Sequence, residues 1–96
     1  MSVTEASPTV VFRIDAAWRL HPQVALRDES FGALAYHYGN RRLVFLKSRT
    51  LVDLVTALEQ YPSAGAALDA LVPEAQQAAY GRALARLADS GVIDGR

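Results

Sequence analysis

Hydrophobic and polar positions alternate from Val24 to Lys47, and beyond Lys47 the spacing becomes helical. Val24-Ala-Leu26-Arg-Asp28 reads as a short strand with Val24 and Leu26 turned inward, and Asp28-Glu29-Ser30 as a turn. A second strand, Ala33-Leu34-Ala35-Tyr36-His37-Tyr38, leads through Gly39-Asn40 into a third, Leu43-Val44-Phe45-Leu46-Lys47. Glycine and asparagine tolerate positive φ, so this junction predicts a hairpin. With a two-residue loop, Tyr36 stands opposite Leu43 and Leu34 opposite Phe45, and these four share an apolar face with Tyr38. His37, Arg42, Val44 and Leu46 then fall on the other face. A three-residue loop would exchange the faces of the third strand.

After Lys47, Thr50-Leu-Val-Asp53 reads as a capping box variant that starts a helix, and Leu51, Leu54, Val55 and Leu58 continue it. Tyr61-Pro62 stops that run. Ser63 predicts the cap of a second helix, Ala64 to Leu71, with Ala67, Leu68 and Leu71 inward. Val72-Pro73 breaks it, and Pro73-Glu74 starts a third helix. Tyr80, Leu84 and Leu87 form the apolar stripe of that helix, flanked by Ala79, Ala83 and Ala88, and Gly91-Val92 is its Schellman stop. The predicted fold is α+β: a three-stranded antiparallel β-meander followed by a three-helix bundle, winged-helix-like in outline. Upstream, Met1 to Pro8 is expected to be a loose arm and Thr9 to Ile14 is β-prone. Trp18-Arg-Leu-His-Pro22 reads as a turn-like entry. The division is an N-terminal arm over 1–17, flexible or dependent on a partner, and a recognition domain over 18–96.

Composition narrows the chemistry. With 96 residues, 51% of them hydrophobic and 21% charged, the chain suits one folded domain that buries roughly two-thirds of its unfolded surface. It has no cysteine, which removes disulfides, thiolate nucleophiles and Cys-ligated metal centres, and fits a reducing cytoplasm. No apolar run reaches the ~20 residues that span a bilayer. Met1 to Pro8 carries Glu5 and no basic region, so no secretory signal is expected. The ten basic and ten acidic residues cancel, which argues against a general polyanion binder. The basic residues are unevenly placed, however. Between Glu29 and Asp53 there is no acid, while Arg41, Arg42, Lys47 and Arg49 lie there. Such a stretch is either a solvated edge that resists aggregation or a lip that steers an acidic partner.

Catalytic constellations are absent from the pattern. His21 and His37 have no nucleophile at a recognisable spacing, and Asp28 and Glu29 point to opposite faces of a strand end. No metal-ligand spacing and no glycine-rich phosphate loop occurs, so neither enzyme activity nor a cofactor is expected. A winged-helix DNA-binding module is the alternative, with the helices 64–71 and 74–90 posing as helix-turn-helix and Gln76 and Gln77 as base readers. Its recognition helix carries just Arg82 and Arg86 against Glu74 and Asp89, which is few cations for phosphate contacts. The third strand favours a peptide instead. As the edge of the meander it leaves backbone groups unpaired, so a peptide could add as a fourth strand with the last helix walling the groove. The same edge could be closed by a homodimer or covered by the arm around Thr9 to Ile14.

Three segments carry a resemblance: Leu20-His-Pro-Gln-Val-Ala-Leu-Arg27, Glu29-Ser-Phe-Gly-Ala-Leu34 and Tyr36-His-Tyr-Gly-Asn-Arg-Arg-Leu-Val-Phe-Leu-Lys47. They closely resemble the precursor-peptide-binding chaperone family of mycofactocin biosynthesis, over Trp18 to Leu58 and by pattern through the final helices. That family is similar to the peptide chaperone of pyrroloquinoline quinone biosynthesis. The resemblance implies a non-catalytic protein that binds the leader of a short ribosomal precursor and presents it to a radical S-adenosylmethionine maturase. The maturase would act on a C-terminal Val-Tyr pair of the precursor and would hold the iron–sulfur clusters. The resemblance also implies that the leader lies antiparallel to the third strand, in the cleft between it and the third helix. Carried over, this points to Arg42, Leu43, Val44, Phe45, Leu46 and Lys47 on one side and Tyr80, Ala83, Leu84 and Leu87 on the other.

Overall fold

The computed structural model describes residues 11–96. The elements run β1 (Trp18–Leu20), β2 (Val24–Glu29), β3 (Gly32–His37), β4 (Leu43–Leu46), α1 (Arg49–Ala57), α2 (Ala64–Leu71), α3 (Glu74–Ser90) and β5 (Ile93–Gly95), with a 3₁₀ turn over Leu58–Gln60. The class is α+β, and the predicted meander is an antiparallel sheet ordered β2–β3–β4. The predicted layout needs one correction. Trp18 to Leu20 is a strand rather than part of a turn, and it pairs with β5, which the sequence reading lacks. Strands of three residues are too short to show a period, and these two lie 75 positions apart at the registered pair Arg19 and Asp94, joined also by their side chains at 3.3 Å.

The hairpin register is the expected one, with Tyr36 opposite Leu43 and Leu34 opposite Phe45. The loop that sets it is different. The His37 N–H donates to the Arg42 carbonyl at 2.9 Å and the Arg41 N–H to the His37 carbonyl at 2.8 Å. The turn is therefore Tyr38 to Arg41, and the positive φ, 65°, falls on Arg41 rather than on Gly39 or Asn40. Two- and four-residue loops have the same parity, so both keep the same faces together. Gly39 serves a close approach instead. A Cβ there would crowd the His37 ring, whose Nδ1 accepts the N–H groups of Gly39 at 2.9 Å and Asn40 at 3.1 Å.

The inner face of the sheet is lined by Ala33, Ala35 and Leu46, with Val24, Leu26 and Val44 packed beside them. The small side chains of Ala33 and Ala35 let α1 pack directly on β3. Val52, Leu54 and Val55 of α1, Ala64, Ala67 and Leu68 of α2, and Leu84, Leu87 and Ala88 of α3 complete the core with Trp18, Val92 and Ile93. Full burial of a leucine contributes about 1.5–3 kcal/mol, and Leu46, Leu54, Leu58, Leu68 and Leu84 are all fully buried. The residues predicted to share an apolar face, Leu34, Tyr36, Tyr38, Leu43 and Phe45, form the outer face of the sheet.

Caps fix the helix limits. The cap of α1 is Ser48, whose Oγ accepts the Leu51 N–H at 3.0 Å, so the expected Thr50 box is displaced by two residues. Ser48 prevails because its Oγ is also within 3.0 Å of the Tyr80 hydroxyl, which ties the start of α1 to α3. Ser63 caps α2 through the Ala66 N–H, as expected. Pro73 stands at the N-cap of α3 rather than inside it, and Gly91, with φ 84°, closes α3 while the Val92 N–H returns to the Leu87 carbonyl. Of the expected arm over 1–17, residues 1–10 lie outside the described residues, as does the start of the β-prone Thr9 to Ile14 run. Residues 11–14 form no strand. The carbonyls of Ile14 and Ala16 accept the N–H groups of Gly65 and Ala64, satisfying first-turn donors of α2. Phe12 stacks 5.1 Å from Trp18, whose indole N–H donates to the Arg13 carbonyl.

Candidate functional site

Hydrogen-bond direction along β4 follows from the hairpin. The His37–Arg42 pair bonds across the ladder, so by antiparallel alternation Ala35–Val44 and Ala33–Leu46 do so too. The Tyr38 N–H donates to the Gln23 carbonyl, which places the other parity of β3 toward β2 and agrees with that assignment. Leu43 and Phe45 therefore turn their N–H and C=O groups away from the sheet. No strand pairs with this edge among the described residues.

Across that edge stands α3, and between them lies a cavity of about 280 Å³ lined by Val44, Phe45, Leu51, Ala83, Arg86, Leu87 and Ser90. Val44 reaches it from the inner face of the sheet and Leu51 from the first turn of α1. Ala83 and Leu87 form the helix wall, one turn apart. Arg86 and Ser90 add polar groups, and Arg86 is exposed. The lining is apolar on both walls, the strand wall offers free backbone groups, and a cationic side chain stands beside them. A wider hollow of about 400 Å³ lies between Ile14–Asp15, α2 and Gln77 of α3. It has no strand edge and none of the residues expected to bind a peptide, although Gln77, the candidate base reader, lines it. Beside it, Arg13 and Asp15 hold each other charged, first by their hydrogen bond and then by Coulomb attraction, which lowers the Asp15 carboxyl below its ordinary range and raises Arg13.

Val44, Phe45, Ala83 and Leu87 are thus brought together on one cavity. Leu43 is exposed on the same edge, with Arg42 and Lys47 exposed at its two ends. Leu46 and Leu84 are fully buried, so their side chains belong to the core beneath the cleft and do not open onto it. An apolar stripe on a helix marks what is buried, and Leu84 follows that rule. Tyr80 is half-buried with its hydroxyl on Ser48 and does not line the cavity. Leu51, Arg86 and Ser90 line it without having been among the residues expected to bind a peptide. Arg86 carried a signal, since it lies three residues after Ala83 and so shares its face of α3.

The two histidines are structural in their contacts. His37 is 6% exposed, and His21 accepts the Gln23 N–H on Nδ1 and packs its ring 4.3 Å from that of His37. No group of three or more potential metal-ligating side chains converges among the described residues. In the same residues, no helix is long and apolar enough to cross a membrane. An open strand edge facing an apolar helix wall has the geometry to accept an extended chain by strand addition.

The comparisons with known proteins are specific. The family model described as the Peptide chaperone MftB family matches residues 17–94. The chain is 47% identical over 91 residues to the peptide chaperone MftB of Mycolicibacterium smegmatis, covering 94% of this chain and 89% of that protein. It is 48% identical to the peptide chaperone MftB of Mycobacterium tuberculosis over 83 residues, 85% of this chain and 76% of that protein. No solved structure matches the chain. The chain belongs to the MftB peptide chaperone family.

Proposed function

We propose that this protein is the non-catalytic peptide chaperone of a mycofactocin biosynthesis system, acting in the cytoplasm. It binds the leader of a short ribosomal precursor peptide and presents it to a radical S-adenosylmethionine maturase. Family membership supports the role, and the observation that carries the mechanism is the cavity of about 280 Å³ between the open edge of β4 and α3. The leader adds antiparallel to β4, exchanging hydrogen bonds with Leu43 and Phe45. Its side chain opposite Val44 then enters the cavity toward Leu51, Ala83 and Leu87, because residues paired across strands share a face. In this reading β2–β3–β4 and the three helices serve as the winged-helix-like scaffold of a recognition element, over 18–96. Arg41, Arg42 and Lys47 have no ion-pair partner among the described residues and meet a glutamate-rich leader, while Arg49 is already bound to Asp28 and Asp53.

The DNA-binding alternative gains nothing from the fold, because Arg82 and Arg86 remain the two cations of α3 and Arg86 opens on the cleft. The test is calorimetric titration of the purified protein with the leader of the short peptide encoded beside it. Saturable binding below tens of micromolar is expected. Heat indistinguishable from dilution would overturn the reading.

A further inference from the structure

The sheet has a second unpartnered surface besides its edge. Among the described residues the exposed large hydrophobics are Val11, Ile14, Phe31, Tyr38, Leu43 and Phe45, and the last four gather on or beside the outer face of β2–β3–β4. Phe31 is 42% exposed with its ring 5.8 Å from that of Phe45. Tyr38 is 61% exposed with its ring 5.3 Å from that of Tyr36. Leu34 and Tyr36, on the same face of β3, are half-buried. This face is turned away from the helices, and the core gains nothing from its apolar character. Contiguous exposed aromatics of this kind mark an interaction surface.

Two observations say what covers it. The first is charge. Arg41 stands at the hairpin end of β4 and Lys47, with the parity of Leu43 and Phe45, at the other, neither of them in an ion pair among the described residues, whereas Glu29 on β2 is already held by Arg27 at 2.9 Å. A second copy laid face to face would bring these cations onto cations, which disfavours self-association. A partner with an apolar patch bordered by carboxylates fits instead. The second is continuity with the cleft. Leu43 and Phe45 offer their backbone to the added strand and their side chains to the outer face. A peptide added at β4 therefore places every other side chain beside them and extends this same face by one strand.

We propose that the outer sheet face is the docking surface for the enzyme that modifies the bound peptide. The surface is complete only when the peptide occupies the β4 edge. The enzyme would meet Phe31, Leu34, Tyr36, Tyr38 and the outward side chains of the peptide together, and so bind the loaded chaperone more tightly than the empty one. This inference rests on the peptide-chaperone reading given above.

The test pairs Phe31→Ser with Tyr38→Ser, neither of which lines the cleft. Calorimetry with the leader peptide and biolayer interferometry with the purified peptide-modifying enzyme, with and without leader, separate the two sites. For the wild type, leader should strengthen enzyme binding. The double variant should keep its leader affinity within about twofold and lose at least about tenfold in enzyme affinity. Enzyme affinity unchanged in the double variant, or equal for loaded and empty wild type, would overturn the proposal while leaving leader binding intact. Absence of leader binding in the wild type would instead overturn the reading beneath it. Sedimentation that shows a wild-type dimer dissolved by the double variant would assign the face to a second copy and also overturn the proposal. If the double variant loses its far-UV spectrum, Tyr38→Ser alone is read by the same criteria, with a loss of about threefold expected.

Discussion

Replacing one residue of β4 by proline should separate peptide docking from fold stability, and the structure says which residue does which. Proline removes the backbone N–H and fixes φ near −65°. At Val44 the lost donor is the one that bonds across the ladder to Ala35, whose backbone is buried with a residue exposure of 1%. An unsatisfied buried carbonyl costs about 1–3 kcal/mol, and backbone strain adds to it, so Val44→Pro should lose about 3 kcal/mol or more. For a chain of this size that lowers Tm by at least roughly 12 °C. At Phe45 the lost donor faces the cleft, and no bond within the protein breaks. Phe45→Pro should therefore unfold within a few degrees of the wild type. Its effect falls on the complex, through one lost peptide hydrogen bond of about 0.5–1.5 kcal/mol and a pyrrolidine ring set where the added strand must approach. Together these should weaken leader binding by at least about tenfold, or 1.4 kcal/mol. Phe45→Ala, which keeps the N–H, controls for the ring lost from the outer face and should retain more affinity than the proline variant. Thermal melts and calorimetry on the three variants are the assay. Leader affinity unchanged in Phe45→Pro would refute the docking edge, and a melt of Phe45→Pro as low as that of Val44→Pro would refute the assigned hydrogen-bond directions.

Changing Arg42 and Lys47 together to Gln should slow leader association several-fold at low salt and leave dissociation nearly unchanged, because exposed charges of about 0–1 kcal/mol each act mainly through steering; stopped-flow at two ionic strengths measures this. Gly81→Ala should raise Tm by roughly 4–8 °C, since glycine inside a helix costs about 1 kcal/mol relative to alanine and a Cβ at Gly81 meets nothing within 4 Å. Gly32→Ala should destabilise the fold by at least about 2 kcal/mol in denaturant titration, because Gly32 has φ +149° and a Cβ there would overlap the Leu46 carbonyl oxygen.

Much of the framework was legible in the sequence because its signals were local. Ser63, Pro73 and Gly91 mark helix ends through side-chain and backbone chemistry that acts within a few residues, and α2 runs over the predicted Ala64–Leu71. The β3–β4 register was legible as well, since parity, and not loop length, decides which residues face each other. What escaped depends on tertiary placement. β1 and β5 stabilise each other only when Trp18–Leu20 and Ile93–Gly95 are brought together. Ser48 outranks Thr50 as a cap through its contact with Tyr80, 32 residues away. The cleft was legible as a pairing of β4 with α3, but the sequence could not separate Leu84, buried in the core, from Ala83 and Leu87, which open on the cavity. Nor could it say which side of the sheet the helices would cover. The aromatic side looks like the core by composition, yet the alanine side is buried, because small residues let α1 pack close.

The central claim is that a peptide pairs with the outward backbone groups of β4, and amide hydrogen exchange read by nuclear magnetic resonance tests it residue by residue. With saturating leader peptide, the amides of Leu43 and Phe45 should pass from rapid exchange to strong protection, while those of Val44 and Leu46, already bonded to β3, should change little. Leu43 and Phe45 amides that exchange equally fast in the free and peptide-saturated protein would contradict the account.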